Sequence, residues 1–243
     1  MPIARGSGYK ISYEVSGDGP PLVLHPGMFQ TGASWRATGY TGALEAGHTV
    51  IAIDPLGLGA SDAPHEAAAY ALERRVACVT SVLDDVGVER AAFWGYSMGA
   101  LTALGMAIHA PERCTRLVVG SWDPIEGFAS GVAHALRHFG LPADTDAFPL
   151  LRQAAVIDAG DPHALRANFE AFSREGGLAS RLGSVAVPML MYCGTEDPWH
   201  DPLRETADRV GAGFFSVPRA DHGAGWRHAG EVLPRVLPFL GRP

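Results

Sequence analysis

Ala91-Ala92-Phe93-Trp94-Gly95-Tyr96-Ser97-Met98-Gly99-Ala100 is the stretch that decides the fold of this 243-residue chain. It has the pattern of a short apolar strand, then G-x-S-x-G, then the start of a helix. A serine hydroxyl is a poor nucleophile until it is lifted clear of the backbone and given a base. A sharp strand-to-helix turn lifts it, and Gly95 and Gly99 relieve the crowding in such a turn. The stretch predicts Ser97 as a nucleophile and the Met98 amide as an oxyanion donor, with a plain Gly/Ser turn as the alternative interpretation.

Short apolar segments on either side of this stretch predict a β-sheet. The central ones are continuously apolar rather than alternating, which is typical of strands buried on both faces of a parallel sheet. The segments occupy residues 9–15, 22–25, 49–53, 91–94, 117–119, 189–193 and 214–217. The turn-forming residues 17–21, Gly-Asp-Gly-Pro-Pro, separate the first two segments, so we expect that pair to form a hairpin.

Helical patterns lie between these predicted strands. Two series of apolar residues recur at helical spacing, namely Val76, Val79, Leu83 and Val86, and then Leu101, Leu104 and Ile108. Gly87 and Pro111 follow the two series as stop signals. The alternation of strands and helices predicts an α/β fold.

Residues 122–184 interrupt that alternation. They contain no convincing buried strand, two helix-like segments near residues 131–139 and 163–174, and phenylalanines at positions 128, 139, 148, 169 and 172. We therefore expect a small helical cap at 122–184, inserted between two strands of a core that comprises residues 1–121 and 185–243.

Composition excludes several classes of protein. Hydrophobic residues make up 47% and charged residues 19%, which excludes a disordered chain. Lys+Arg minus Asp+Glu is 19 − 26 = −7, which argues against nucleic-acid binding and against a polybasic membrane-surface protein. The sequence contains no apolar run long enough to span a membrane. Three scattered cysteines, Cys78, Cys114 and Cys193, do not form a disulfide framework, so we expect reduced thiols and a cytoplasmic protein.

Four further motifs each follow a predicted strand. They are His25-Pro26-Gly27, Asp54-Pro55-Leu56-Gly57-Leu58-Gly59-Ala60-Ser61, Gly194-Thr195-Glu196-Asp197 and Arg219-Ala220-Asp221-His222. With the G-x-S-x-G stretch, these motifs resemble those of the α/β-hydrolase-fold superfamily, specifically its capped, single-domain serine hydrolases of esterase and lactonase type. The resemblance covers essentially the whole chain. It implies a mostly parallel central sheet with flanking helices.

The resemblance implies a catalytic triad in the chain order Ser97, Asp197, His222. Asp197 would orient His222 and stabilise its cationic form. Asp123, which follows an earlier strand, is the alternative acid, and His228 is the alternative base.

The resemblance also implies that the turn after residues 22–25 supplies the second amide of an oxyanion hole. Pro26 has no N–H, so the donor is Gly27, Met28 or Phe29, and we favour Met28. We interpret His25 as a residue that braces the loop rather than as a base. The motif that begins at Asp54 is interpreted as architecture.

Aromatic residues around the predicted site indicate an apolar, partly aromatic pocket. The candidates for substrate binding are Phe29, Tyr96, Trp122 and Trp199. For each of them, simple packing of the cap on the core is the alternative interpretation.

We expect the chain to hydrolyse a small apolar carboxylic ester, lactone or thioester through an acyl-enzyme on Ser97. The resemblance implies no cofactor, and the histidines and cysteines form no metal-binding pattern. The expected partner is a small-molecule substrate, without nucleic acid or membrane, and the chain would act as a monomer or homodimer. Three alternatives remain open: a C–C bond hydrolase, a biosynthetic tailoring thioesterase or cyclase, and a low-turnover ligand-binding protein on a hydrolase scaffold.

Overall fold

The computed structural model describes residues 1–154 and 160–241 of the chain. In that part of the chain, eight strands form one sheet. The strands are β1 (Ile3–Ala4), β2 (Ile11–Ser16), β3 (Pro21–His25), β4 (Thr49–Ile53), β5 (Ala91–Tyr96), β6 (Cys114–Gly120), β7 (Met189–Gly194) and β8 (Gly213–Val217).

Eleven α-helices lie in the same described ranges. They are α1 (Ala33–Ala37), α2 (Tyr40–Leu44), α3 (Leu72–Val86), α4 (Met98–His109), α5 (Phe128–His138), α6 (Phe148–Ala154), α7 (Pro162–Arg174), α8 (Ala179–Leu182), α9 (His200–Val210), α10 (His222–Arg227) and α11 (Ala229–Leu240). Two short 3-10 helices span Ala67–Tyr70 and Pro111–Arg113.

The strand order is β1-β2-β4-β3-β5-β6-β7-β8, which places β5 inside the sheet between β3 and β6. β1 and β2 pair antiparallel at one edge, and every pair from β4 to β8 is parallel. All six residues of β5 are buried, in agreement with the continuously apolar pattern of that strand. The expectation of an α/β fold with a mostly parallel sheet is confirmed. The carboxyl ends of β3, β5, β6, β7 and β8 consequently meet at one edge.

The predicted hairpin between the first two long strands is wrong. β4 lies between β2 and β3, and it pairs antiparallel with β2 and parallel with β3. The turn at residues 17–21 crosses the start of β4, where the Thr49 amide donates to the Pro20 carbonyl at 3.2 Å. Gly17 has a φ of 77°, and a Cβ there would overlap backbone atoms of Glu45 and His48. The glycine therefore serves a close crossing of two backbones, which the local sequence does not distinguish from a hairpin turn.

Apolar side chains cover both faces of the sheet because neighbours along a strand point to opposite sides. Phe93 belongs to the layer under α3, α4 and the cap helices, whereas Trp94 belongs to the layer under α1, α2 and α11. Trp94 packs edge-on against Trp35 with ring centroids 5.5 Å apart. The sheet is thus buried between two helical layers, with β5 in its interior.

The two helices predicted from periodicity are confirmed. α3 ends at Val86, where Gly87 adopts the left-handed conformation with a φ of 78°. α4 ends at His109, two residues before Pro111. These two helices flank the G-x-S-x-G stretch in sequence and pack against each other.

Within the described part of the stretch between β6 and β7 lie four helices, α5 to α8. The segments predicted near residues 131–139 and 163–174 correspond to α5 and α7, whereas α6 and α8 carry no periodic signal that we identified. Phe128 of α5 stacks on Phe172 of α7 with ring centroids 4.3 Å apart, but Phe139 is 55% exposed. The domain boundaries at residues 121–122 and 184–185 stay a prediction, and residues 155–159 of the predicted cap lie outside the described residues.

No helix within residues 1–154 or 160–241 combines the length and apolarity that a membrane crossing requires. Cys78, Cys114 and Cys193 are all buried free thiols. The cytoplasmic location stays a prediction.

Candidate active site

Ser97 occupies a sharp turn between the end of β5 and the start of α4. Its backbone has φ 56° and ψ −117°, a region that non-glycine residues rarely adopt and that stores strain. The turn is held by the Ser97 amide, which donates to the Gly120 carbonyl at the end of β6 at 2.8 Å. The Ser97 carbonyl accepts from the amides of Ala100 and Leu101, which begins the helix. The backbone of Ser97 is therefore fully used in the turn.

The two glycines of the motif are required by close backbone contacts. A Cβ on Gly95 would overlap the carbonyl group of Gly99. A Cβ on Gly99 would overlap the carbonyl of His25 and come within 2.8 Å of the Pro26 oxygen. Gly99 thus lets the first turn of α4 lie directly against the His25-Pro26-Gly27 turn. The sequence argument anticipated crowding within the motif, but not the contact with this second turn.

Asp197 and His222 meet at the same edge of the sheet. His222 Nδ1 lies 2.8 Å from Asp197 Oδ2, and because the carboxylate can only accept, Nδ1 carries the proton. Asp197 follows β7 and its side chain is fully buried, while the side chain of His222 at the start of α10 is 40% exposed. Gly194 makes this approach possible because a Cβ there would overlap the Ala220 carbonyl. The fold therefore joins two residues that are 25 positions apart in sequence.

Ser121 is a site residue that the sequence analysis missed. Its hydroxyl donates to Asp197 Oδ2 at 2.6 Å, the same oxygen that faces His222, and it also lies 3.2 Å from Cys193 Sγ. Ser121 is fully buried and has a φ of 47°, so it is held in a strained conformation directly after β6. Its position after a strand, at the edge where the other candidates lie, is the signal that could have identified it.

The environment of Asp197 favours its charged form. Burial by itself raises the pKa of this carboxyl and is the largest single effect, whereas the charge and hydrogen bond of His222 lower it. The Ser121 hydroxyl and the Trp199 amide, which donates to Oδ1 at 3.0 Å, lower the pKa further. The net result is a pKa below the ordinary aspartate value. A buried carboxylate that stays ionised can hold and stabilise an imidazolium.

Asp123, the alternative acid, has a different set of partners. Its Oδ1 accepts from the amides of Ile125 and Glu126 at 2.8 and 3.0 Å, and its Oδ2 accepts from the Ser130 hydroxyl at 2.7 Å. These bonds cap the turn that leads into α5. His222 bonds to Asp197 and not to Asp123. His228, the alternative base, lies at the surface with Nδ1 3.7 Å from Glu231.

The turn at residues 25–29 distinguishes between the candidate oxyanion donors. The Gly27 amide donates to Gln30 Oε1 at 3.1 Å, so it is already used within the turn. No hydrogen bond of the Met28 amide is found within the described residues. Met98 is the first residue of α4, so its amide is one of those that a helix leaves unpaired. The geometry therefore disfavours the Gly27 amide and leaves the amides of Met28 and Phe29 as candidates beside that of Met98, so the choice of Met28 stays a prediction.

His25 is buried and its Nδ1 donates to the Pro26 carbonyl at 3.1 Å. Burial, with a smaller contribution from the positive charge of Arg75, lowers the pKa of His25 to about 4, although the hydrogen bond to Pro26 opposes this shift. A histidine that is neutral at pH 7 and bonded to its own turn agrees with the loop-bracing interpretation. The polar side chains of the motif that begins at Asp54 likewise bond to nearby backbone groups. Asp54 Oδ1 accepts from the Gly32 amide at 2.9 Å, and the Ser61 hydroxyl donates to the Asp54 carbonyl at 2.6 Å.

Tyr96 and Phe29 were both predicted to bind substrate, and the structure places them differently. Tyr96 is 2% exposed and belongs to the layer under α11. Its hydroxyl donates to the carbonyl of His222 at 2.6 Å, so it contacts the candidate base rather than an open pocket. Phe29 has a φ of 65° and its ring lies 6.1 Å from that of Phe148 in α6. Phe29 therefore contacts the cap from the turn at residues 25–29.

Trp122 and Trp199 lie under the cap helices and both are almost fully buried. The ring of Trp199 meets His222 edge-to-face at 4.8 Å, and its indole N–H donates to the Ser130 hydroxyl at 2.9 Å. Trp122 lies 5.4 Å from Trp199 and stacks on Phe172 at 5.0 Å. Trp199 is thus brought to the histidine, whereas Trp122 lies one aromatic ring further away.

No cluster of three or more histidine, cysteine, aspartate or glutamate side chains that could hold a metal ion occurs in the described residues. The groups available at this edge are a hydroxyl, an imidazole, a carboxylate and backbone amides. These groups can carry out nucleophilic acyl transfer without a Lewis acid.

Comparisons with known proteins agree with the fold. The family model for the alpha/beta hydrolase fold matches residues 20–130. The chain is 28% identical, over an alignment 265 positions long, to "Putative carbamate hydrolase RutD" of Variovorax paradoxus (strain S110). The alignment covers 96% of both proteins.

Two solved structures resemble the chain over almost their whole length. The enol-lactonase from Burkholderia xenovorans LB400 has a TM-score of 0.79 and 25% identity, covering 98% of this chain and 99% of that one. A hydrolase from Pseudomonas aeruginosa PA01 has a TM-score of 0.80 and 25% identity, covering 99% and 98%. The chain has the α/β-hydrolase fold and is a hydrolase.

Proposed function

We propose that this chain is a serine hydrolase that cleaves a small apolar carboxylic ester, lactone or thioester through an acyl-enzyme on Ser97. The observation that carries the proposal is the 2.8 Å contact between His222 Nδ1 and the buried Asp197 carboxylate, at the sheet edge where β5 presents Ser97. A histidine held in this tautomer presents Nε2 as a base.

In the proposed first step, Ser97 Oγ attacks the substrate carbonyl carbon and its proton passes to His222 Nε2. The amides of Met98 and Met28 donate to the oxyanion of the tetrahedral intermediate, and each such donor contributes about 10²- to 10³-fold to turnover. Asp197 stabilises the imidazolium that forms on His222. The leaving alcohol or thiol then takes the proton from His222 as the carbon–oxygen or carbon–sulfur bond breaks.

In the second step, a water molecule gives its proton to His222 and attacks the acyl-enzyme. The acid is released and the proton returns to Ser97. The proposed cycle needs a small-molecule substrate and no cofactor.

The preference for an apolar substrate is supported by the side chains between the core and the cap. Phe29, Trp199 and Phe148 are buried there in one apolar layer. The two relatives named above are called a carbamate hydrolase and an enol-lactonase; carbamates and lactones both contain a carbonyl carbon, which supports attack at such a carbon here.

The test is hydrolysis of p-nitrophenyl esters from acetate to decanoate, with Ser97→Ala measured beside the parent protein. We expect turnover by the parent and a fall to near background in the variant, which still binds substrate. Mass spectrometry of the parent after a rapid acid quench should show the mass of one added acyl group, and Ser97→Ala should show none. Equal activity in the two proteins would contradict the assignment of Ser97.

A matched pair of variants tests the acid. Asp197→Asn and Asp123→Asn each replace a buried aspartate with its neutral isostere, but only Asp197 contacts His222. We expect Asp197→Asn to lower kcat by about 10⁴-fold, because the amide favours the wrong tautomer of the histidine. Asp123→Asn should change stability more than kcat. The opposite order would assign the acid to Asp123.

A further inference from the structure

A buried arginine lies beside the candidate site and plays no part in the reaction proposed above. Arg75, in the first turns of α3, is only 5% exposed. Its Nη2 donates to Asn168 Oδ1 of α7 at 2.6 Å, and its Nη1 lies 3.2 Å from Met98 Sδ. Its guanidinium also lies 5.9 Å from the ring centroid of Tyr70. An amide oxygen, a thioether and an aromatic ring are weak partners for a buried positive charge.

Arg75 and Asn168 together have more N–H donors than the hydrogen bond between them uses. Arginine carries five N–H donors and no acceptor, so the Asn168 oxygen, and not its nitrogen, must face it. The orientation of the amide is therefore determined by Arg75. Asn168 is 1% exposed, and its Nδ2 has no hydrogen-bond partner within the described residues. A buried, donor-rich cluster of this kind lacks an acceptor, and leaving a buried donor unpaired is costly.

The surrounding charges do not neutralise Arg75 by direct contact. No carboxylate lies within 4.0 Å of its guanidinium nitrogens in the described residues, and half-buried Glu175 acts on it only at longer range. Burial lowers the pKa of Arg75 to about 10, so it still carries its charge at pH 7. Burial also raises the pKa of Glu175. Arg75 is therefore a buried positive charge without a directly bonded carboxylate, and the charge of Glu175 acts on it only from beyond hydrogen-bond distance.

This cluster adjoins both halves of the proposed oxyanion hole. Met98, whose side chain contacts Arg75, follows Ser97 directly and supplies one of the amides. The charge of Arg75 is also near enough to lower the pKa of His25, which precedes the turn with the second amide. Asn168 approaches from the cap. An anionic group at Arg75 and Asn168 would thus lie between core and cap, beside the side chain of the residue that follows Ser97.

We infer that Arg75 and Asn168 form a carboxylate-binding site, and that the natural substrate is an ester, lactone or thioester that also carries a free acid group. The inference rests on the proposed function for the reaction itself and changes the substrate from a wholly apolar one to one whose apolar part also carries an acid group. A carboxylate has the acceptor oxygens that the two side chains lack, and a guanidinium binds it with matched geometry. The competing interpretation is that Arg75 only ties α3 to α7.

The test compares esters that differ in one acid group. Mono-p-nitrophenyl succinate, glutarate and adipate are measured against p-nitrophenyl butyrate, valerate and hexanoate, which have the same acyl chain lengths. We expect the parent protein to prefer the acid ester in at least one pair by about 10- to 100-fold in kcat/KM, the range for a hydrogen-bonded charge.

Arg75→Met replaces the charged side chain with an unbranched apolar one. The readout is the ratio of kcat/KM for the acid ester to kcat/KM for the neutral ester of the same chain length. We expect that ratio to fall to about one, and Arg75→Lys to retain part of it. Arg74→Met is the matched control, because Arg74 is an exposed neighbour on the same helix and should leave the ratio unchanged. Asn168→Leu should lower the ratio as well, and it serves if Arg75→Met does not fold.

Three outcomes overturn the inference: no preference in the parent, an equal loss on both esters in Arg75→Met, or an unchanged ratio in all variants. Failure of the proposed function is recognised separately, since Ser97→Ala would then leave the activity intact or the parent would cleave neither ester. In that case, a binding measurement tests the carboxylate site without catalysis: glutarate should raise the Tm of Ser97→Ala but not that of the Arg75→Met variant. Equal shifts, or none, would overturn the site.

Discussion

The hydroxyl of Tyr96 donates a 2.6 Å hydrogen bond to the backbone carbonyl of His222, and its ring lies 5.3 Å from the histidine ring. The residue that precedes the proposed nucleophile therefore holds the residue that we propose as its base. This contact links the end of β5 to the start of α10, across 126 positions of sequence. We therefore propose a positioning role for Tyr96, and the substrate-binding role expected from the sequence stays a prediction.

Tyr96→Phe should lower kcat/KM by about threefold to tenfold, because one buried hydrogen bond of this kind is lost. KM should change less than kcat, since the ring and its packing stay. Tyr13→Phe is the control: it removes a hydroxyl that donates to Asp85 at the same 2.6 Å, away from the site. Steady-state kinetics on one p-nitrophenyl ester checks both variants. If the two substitutions affect kcat alike, Tyr96 does not position His222.

Ser121→Ala should lower kcat by about 10- to 100-fold, the range for a hydrogen bond to a charged group. The Ser121 hydroxyl lowers the pKa of Asp197, so its removal raises that pKa. The carboxylate is then protonated at a higher pH, and activity on the acid side should be lost at a higher pH than in the parent.

The pH profile of kcat/KM is the measurement that separates this effect from a general loss of stability. Ser81→Ala removes a hydroxyl that is also buried but that donates to the Cys78 carbonyl, and should keep the parent profile. An unshifted acid limb in Ser121→Ala would show that Ser121 contributes only to packing.

Gly99→Ala should prevent folding or lower the free energy of unfolding severely, because the added methyl group overlaps the His25 carbonyl. Backbone on both sides of the contact leaves nothing flexible to move away. Gly42→Ala in α2 is the matched control, since a Cβ there meets no atom within 4 Å. It should be neutral or stabilise by about 0.5–1 kcal/mol. Urea unfolding followed by circular dichroism measures both. A stable Gly99→Ala protein would contradict the close approach of α4 to the turn at residues 25–29.

His25 should make the protein less stable in mild acid. Its pKa is about 4 in the folded chain and about 6.5 when unfolded, so the unfolded state binds more protons between these values. Stability from this group is complete above pH 6.5 and is lost as the pH falls toward 4. Between pH 7 and 5 the loss should be about 2 kcal/mol. Urea unfolding at the two pH values, compared with His25→Asn, isolates the contribution. The same pH dependence in both proteins would show that His25 does not titrate as a buried group.

Much of the fold could be predicted because its signals are local. The continuously apolar run in β5 predicts a strand buried on both faces, and the apolar spacing with Gly87 predicts α3 and its end. The N-terminal strands were mispredicted for the opposite reason. The partner of β2 is β4, which lies more than thirty residues later, and pairing with a distant strand leaves no mark on the turn between β2 and β3.

The sequence by itself determined the strand–helix alternation and the strained turn at Ser97, because each depends on residue types at fixed short spacing. The chain order of the candidate triad rests instead on the resemblance of separate motifs to those of the α/β-hydrolase superfamily. Only the tertiary structure decided that His222 bonds to Asp197 rather than to Asp123, that Ser121 shares that carboxylate, and that Arg75 lies buried against Met98. These contacts join residues 23 to 76 positions apart. Parallel strands bring their carboxyl ends to one edge, and the packing of cap on core then determines which polar side chains are buried there and which find a partner.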